Sequence, residues 1–425
     1  MTTDGERFYR HGLRRMTGRD INERHRAAST LELFFDLTFV TAFGVAGAEF
    51  AHGIAVGHAG PASIAFFIAM LAIVWAWTSY SWFASAFDND DWLFRVLTLV
   101  QMAGVIVVAI GIPALFESVA EGQHFVGAVM VAGYVIMRLA VIAQWLRVAT
   151  GDPRFRGLAI SNVVTVGVAQ VGWVVFIVLP VALFFSLWLL VLLWLFDLGG
   201  PLVVELWSRR RGAGSPWHPH HIAERYSLMA IIALGETVTG TLSAAQQISA
   251  AQGWTLDAVV VIATGIVVSF ALWWAYFLLP SAPMLAIRRD KVIPWAYGHL
   301  VLFGSIAAVG AGLHVIGYVY DAHAPASVLT AISAIALPVL LFMGCVYALH
   351  AWLVSAPSRN ALHIVTFLAP LAAIALAAAG WPLWACLLVV LASPAAVVVS
   401  YELWEWRTLA TQLNRAMSSA RNNAE

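Results

Sequence analysis

Glu32, Asp36, Arg138 and Glu236 stand in stretches so apolar that their charge demands an explanation. A carboxylate at the centre of a membrane span costs on the order of 2.5–3.5 kcal/mol, so such a group is read first as functional. Glu32 and Asp36 are four residues apart, which puts both on one helical face. Asp36 is the deeper of the two, among Phe34, Phe35 and Phe39. Glu32 also suits a helix N-terminus, where Ser29 or Thr30 would cap the chain. Glu236 follows interfacial Glu224 by about 18 Å of helix, close to the midplane. Gly235 beside it permits close backbone approach. A buried lone glutamate is either paired with a cation or protonated. Arg138 is the one cation deep in an apolar run, and so the first partner to expect for Glu236. The chemistry implied is the uptake and release of a proton or cation.

Lesser candidates are Gln101 and His299, polar residues at matching places in the chain, and Arg225 next to Glu224. Asp197 precedes Gly199-Gly-Pro201, a sequence that should break or kink its helix. His218-Pro-His220-His221 has irregular spacing and no second cluster to support it, so no metal site is expected. No phosphate loop, H-E-x-x-H run or serine elbow is present, and neither a cofactor nor a catalytic residue is assigned. Cys345 and Cys386 both lie in apolar runs, so no disulfide framework is expected.

The elements that must position these residues follow from composition. Of 425 residues 61% are apolar and 11% charged, with a net charge of zero and a mean hydropathy of +0.83. Soluble domains carry about twice that charge, disordered chains far less apolar surface, and nucleic-acid binders a basic excess. The fold class expected is all-α: a polytopic membrane protein held in the lipid bilayer, with no nucleic-acid partner. Apolar runs fall at about 31–50, 61–86, 93–115, 125–148, 157–180, 182–207, 222–243, 256–280, 294–317, 327–353, 361–380 and 383–406. Backbone groups in hydrocarbon find no water, so each run must be a helix. Twelve spans place Arg7 to Arg26, Arg147 to Arg156, Arg209 to Arg211, Arg288 to Lys291, Arg359 and Arg407 to Arg421 on one side. The opposite loops, near 52–60, 116–124, 244–255 and 318–326, hold no Lys or Arg. Both termini are therefore expected in the cytoplasm. No cleavable leader is expected, because Glu32 and Asp36 interrupt the first apolar run. Trp92, Trp207, Trp217, Trp254, Trp404 and Trp406 suit an interfacial aromatic belt.

The two halves echo each other at an offset of about two hundred residues. Trp75-Ala-Trp77 matches Trp273-Trp274-Ala275, Gln101 matches His299, and Gln144-Trp-Leu146 matches His350-Ala-Trp-Leu353. Val-Val-Glu205-Leu-Trp207 matches Val-Ser-Tyr-Glu402-Leu-Trp404. The boundaries implied are a basic tail at 1–27, a six-helix half at 28–208, a linker at 209–220, a second half at 221–406 and a tail at 407–425. Six spans per half make the repeat parallel, a layout common in secondary transporters, which bind substrate at the interface of the halves.

Two stretches resemble a known family. Ser29-Thr-Leu-Glu32-Leu-Phe-Phe-Asp36-Leu-Thr-Phe-Val40 is similar to the opening signature of the bacterial low temperature requirement A family. His221-Ile-Ala-Glu224-Arg225-Tyr226 through Ala233-Leu-Gly235-Glu236 resembles its second signature. The resemblance implies an integral protein of the bacterial cytoplasmic membrane, and it highlights Glu32, Asp36, Glu224, Arg225 and Glu236; it supplies no substrate. The function expected is a proton- or cation-coupled secondary transporter of a small molecule or ion. Its competitors are a membrane-embedded enzyme acting on a lipid-like substrate at the cytoplasmic face, and a membrane scaffold.

Overall fold

In a computed structural model of the chain, residues 12–21, 23, 26–122, 125–179, 183–320, 326–354 and 362–422 are described. Arg7, Arg24 and Arg359, and parts of the outer loops at 123–124 and 321–325, lie outside the described residues. The molecule is 87% helical, and no strand occurs among the described residues. In chain order the helices are α1 (Thr30–Ala55), α2 (Ala59–Phe87), α3 (Trp92–Glu121), α4 (Ala128–Gly151), α5 (Arg156–Val178), α6 (Leu183–Arg210) and α7 (Pro219–Gln252). There follow α8 (Leu256–Phe277), a short α9 (Ser281–Ile287), α10 (Val292–Tyr318), α11 (Val328–Val354), α12 (Leu362–Ala378) and α13 (Leu383–Ser400). A π-helical turn, Tyr401–Glu405, leads into α14 (Trp406–Asn422).

Among the described residues eleven helices are long and apolar enough to cross a membrane, and α12 is a shorter apolar helix of 17 residues. The protein is thus a multi-pass membrane protein. Several helices outrun the apolar stretches that announced them. α7 continues to Gln252, because its final turns are polar but contain nothing that stops a helix before Gly253, at φ 72°. α6 passes through Pro201 unbroken, so of the break or kink expected there, no break occurs. The bond that Pro201 removes is the one to the carbonyl of Asp197, a loss that membrane helices tolerate when neighbours re-satisfy the freed group. Trp92, Trp207, Trp254, Trp404 and Trp406 are exposed, whereas Trp217 is 2% exposed and packs on Trp82 with ring centroids 5.4 Å apart.

The chain groups into two compact units. The first takes residues 1–42 and 75–222, so it holds the start of α1, most of α2, all of α3 to α6 and the opening of α7. Within it α3 packs on α4, α4 on α5 and α5 on α6. The second takes residues 43–74 and 223–425. In it α10 packs on α11, α11 on α12, α12 on α13, and α13 on α8.

Candidate functional site

The first unit gathers a buried ionic cluster where α1 begins. Ser29 and Glu32 form a reciprocal cap: the Glu32 backbone N–H donates to Ser29 Oγ at 3.3 Å, and the Ser29 N–H donates to Glu32 Oε2 at 2.7 Å. The other carboxylate oxygen lies 2.9 Å from His221 Nε2, and both side chains are fully buried. Arg26 stands 3.8 Å from Glu32 and 3.7 Å from Asp88, and donates to the Ala84 carbonyl at 3.2 Å. The two sequence signatures therefore meet through Glu32 and His221. The neighbouring histidine has other work. His218 Nε2 bonds the Glu23 carbonyl at 3.0 Å, which leaves Nδ1 to accept from the His221 N–H at 3.4 Å. Burial pushes the His218 imidazole below its ordinary value, so it is neutral at physiological pH. Among the described residues no group of three or more His, Cys, Asp or Glu is arranged to hold a metal.

The loop after α2 completes this cluster. Burial first, and the Glu32 carboxylate second, push Asp88 up to about 6 against the opposing pull of Arg26. Burial also opposes ionisation of Asp91, yet Arg147 and the backbone N–H groups of Phe94 and Arg14 hold it below the usual carboxylate range. Asp88, with its folded value above the unfolded one, contributes stability that is full below the ordinary carboxylate value and lost as pH rises through about 6. Asp88→Asn is expected to flatten the unfolding midpoint between about pH 4 and pH 6. Thermal melts of the purified protein across that window measure this, and a slope equal to the wild type's counts against it.

Deeper in the same unit, Asp36 is 1% exposed and accepts from Trp77 Nε1 at 2.7 Å. Gln101 and Gln144, both fully buried, bond each other at 3.2 Å. Arg138, named first as a partner to expect for Glu236, has Asp197 as its carboxylate partner. Its Nη2 donates to Asp197 Oδ1 at 2.6 Å, and its Nη1 to Ser79 Oγ at 2.6 Å. Asp197 Oδ2 accepts from Tyr134 at 2.6 Å and from Trp173 at 3.0 Å. A buried charge demands an opposite charge with good geometry, and α6 supplies it beside α4. Asp197 entered the sequence argument only as a residue ahead of a helix break. As the acid of another span it was open to pairing with Arg138 all along.

Glu236 lies in the second unit, 3% exposed. Among the described residues no ion pair reaches it, and its one side-chain hydrogen bond comes from Thr239 Oγ1 at 3.5 Å. Glycines surround it. A Cβ placed on Gly44 or Gly47 of α1 would stand 3.5 and 3.2 Å from its carboxylate oxygens, while one on Gly310 of α10 would meet its backbone at 2.6 Å. Gly235, by contrast, has open space beside it. The niche is thus built by α1 and α10 backbone approaching α7. His299 is fully buried in the same unit, with Nδ1 2.7 Å from the Trp295 carbonyl and Nε2 3.2 Å from the Tyr276 hydroxyl, inside a ring of Tyr226, Trp295 and Phe303. Arg225 is fully buried and Glu224 exposed. Of the candidates, Glu32, Asp36, Gln101 and Arg138 belong to the first unit, and Glu224, Arg225, Glu236 and His299 to the second.

The family described as "Bacterial low temperature requirement A protein (LtrA)" matches residues 27–398. A relative from Rhizobium meliloti (strain 1021), itself described as an uncharacterized protein, is 26% identical over 305 residues, covering 68% of this chain and 70% of its own. No solved structure matches the chain.

Proposed function

The chain belongs to the bacterial low temperature requirement A family, and for this multi-pass member we propose a proton- or cation-coupled secondary transporter of a small molecule or ion in the bacterial cytoplasmic membrane. Glu236 is the coupling group, with Asp36 as a second intramembrane carboxylate. The halves at 28–208 and 221–406 form a parallel repeat whose rocking gives alternating access, and both tails face the cytoplasm.

One observation carries this reading. Asp36 has Trp77, Glu32 has His221 and Asp197 has Arg138, whereas Glu236 is buried with no ion pair among the described residues and a single long hydrogen bond. A carboxylate so placed is neutral only when it carries a proton or cation, so its occupancy and its environment are coupled. That is the property a carrier needs.

The test uses the full chain in proteoliposomes adsorbed on a solid-supported membrane. A pH jump across wild-type protein is expected to produce a transient charge displacement, and Glu236→Gln to abolish it. Equal currents in the two proteins remove Glu236 from the mechanism.

A further inference from the structure

The second unit brings together three side chains that no sequence signature links. Tyr347 of α11 bonds its hydroxyl to Nδ1 of His363 on α12. His363 Nε2 lies 2.8 Å from Oε1 of Glu405, carried by the π turn. Ser400 donates to the same carboxylate oxygen at 2.8 Å, and Phe367 packs on the Tyr347 ring at 5.2 Å. A carboxylate only accepts, so the hydrogen of the neutral ring sits on Nε2 and Nδ1 accepts from the phenol. The chain therefore runs in one direction, from Tyr347 O–H to His363 and from His363 N–H to Glu405. All three residues are half-buried. The His363 side chain is 13% exposed and that of Glu405 24%. The element that presents Glu405 is a π turn, a form that is rare and concentrated at functional sites.

We infer that Tyr347, His363 and Glu405 are a proton-binding relay, with His363 as the group that carries the exchanging proton. The proton arrives from water and bonds to the lone pair at Nδ1. Tyr347, unable to donate to a protonated nitrogen, rotates its hydroxyl and accepts from the new N–H. Glu405 keeps the Nε2–H bond, which becomes charge-assisted. The trio passes from one negative charge to none, with one N–H bond made and no other bond broken except that of the donating hydronium. His350 on α11 interacts electrostatically with both Glu405 and His363, and Ser400 faces Glu405 from the end of α13. This site is separate from Glu236 and stands whether or not that residue couples transport.

Nitrogen-15 spectra of the full chain in nanodiscs, with labelled histidine and the His363 signals assigned by their loss in His363→Gln, test the relay. The ring is expected to be neutral with hydrogen on Nε2 at the alkaline end of the range and to gain a second hydrogen at Nδ1 as the sample is acidified. Glu405→Gln lowers the ratio of protonated to neutral ring about tenfold at a fixed intermediate pH, since an adjacent opposite charge is lost. Tyr347→Phe shifts the Nδ1 signal of the neutral ring and leaves Nε2 nearly in place. A ring in one state across the whole range overturns the relay, as does a ratio unchanged by Glu405→Gln. No transport is measured, so either result leaves the Glu236 currents to be judged on their own.

Discussion

Arg138→Leu is expected to destabilise the protein by about 3–5 kcal/mol, the cost of stranding one buried charge of an ion pair. Both side chains of the Arg138–Asp197 pair are 1% exposed, so water does not reach the stranded partner. The loss is larger than the pair itself is worth, because Asp197 would keep its Tyr134 and Trp173 bonds without the cation that balances its charge. The Ser79 hydroxyl would lose the guanidinium as well. Replacing both partners, as Arg138→Met with Asp197→Leu, removes the unbalanced charge and is expected to recover most of the stability. Thermal or denaturant unfolding of the three proteins in the same detergent measures this cycle. A single variant costing less than about 1 kcal/mol would show that the cluster is hydrated or free to rearrange.

Gly310→Ala carries the second large effect, an expected loss of about 1–3 kcal/mol from forced overpacking. The added methyl carbon would meet the carbonyl carbon, carbonyl oxygen and Cβ of Glu236 at 2.6, 2.6 and 2.7 Å. Backbone cannot swing aside as a flexible side-chain tip can, so α10 and α7 must separate. The reverse face confirms how tight the crossing is, since a Cβ on Gly240 would meet the Gly310 carbonyl oxygen at 2.3 Å. Gly235→Ala is the control one residue from Glu236. Open space faces it, and helix propensity alone makes alanine neutral or up to about 1 kcal/mol better. Melting both variants separates a crossing that needs glycine from a helix that merely contains one. Equal stability in the two would deny the close approach on which the Glu236 niche depends.

The partners of the polar residues were legible only in part. Ser29 and Glu32 were readable as a cap because the relevant groups are three residues apart, a spacing that helix geometry alone evaluates. His221 was readable as part of a signature, but its contact with Glu32 joins residues 189 positions apart. Arg138 was noticed for its depth, with Glu236 the first partner to expect, but sequence depth ranks residues by cost and does not say that α6 supplies Asp197 as its partner. Gln101 was noticed for its place in the repeat, which says nothing of contact; its bond to Gln144 on the adjacent helix appears only in the structure. His363 and Glu405 sit near the ends of α12 and α13, where polar residues are cheap, and Tyr347 is one aromatic among many in a span, so none drew attention alone.

What this sequence determined by itself is what hydrocarbon imposes on any chain. Long apolar runs must close their backbone hydrogen bonds internally, so the helical type and the expense of each intruding charge follow from composition and order alone. What the tertiary structure decided is which intruder answers which. Asp197 neutralises Arg138, His221 meets Glu32, and glycines of α1 and α10 lie against Glu236. Hydrogen bonds and ion pairs act over about 3 Å, and only the packing of particular helices brings residues from distant spans within that reach.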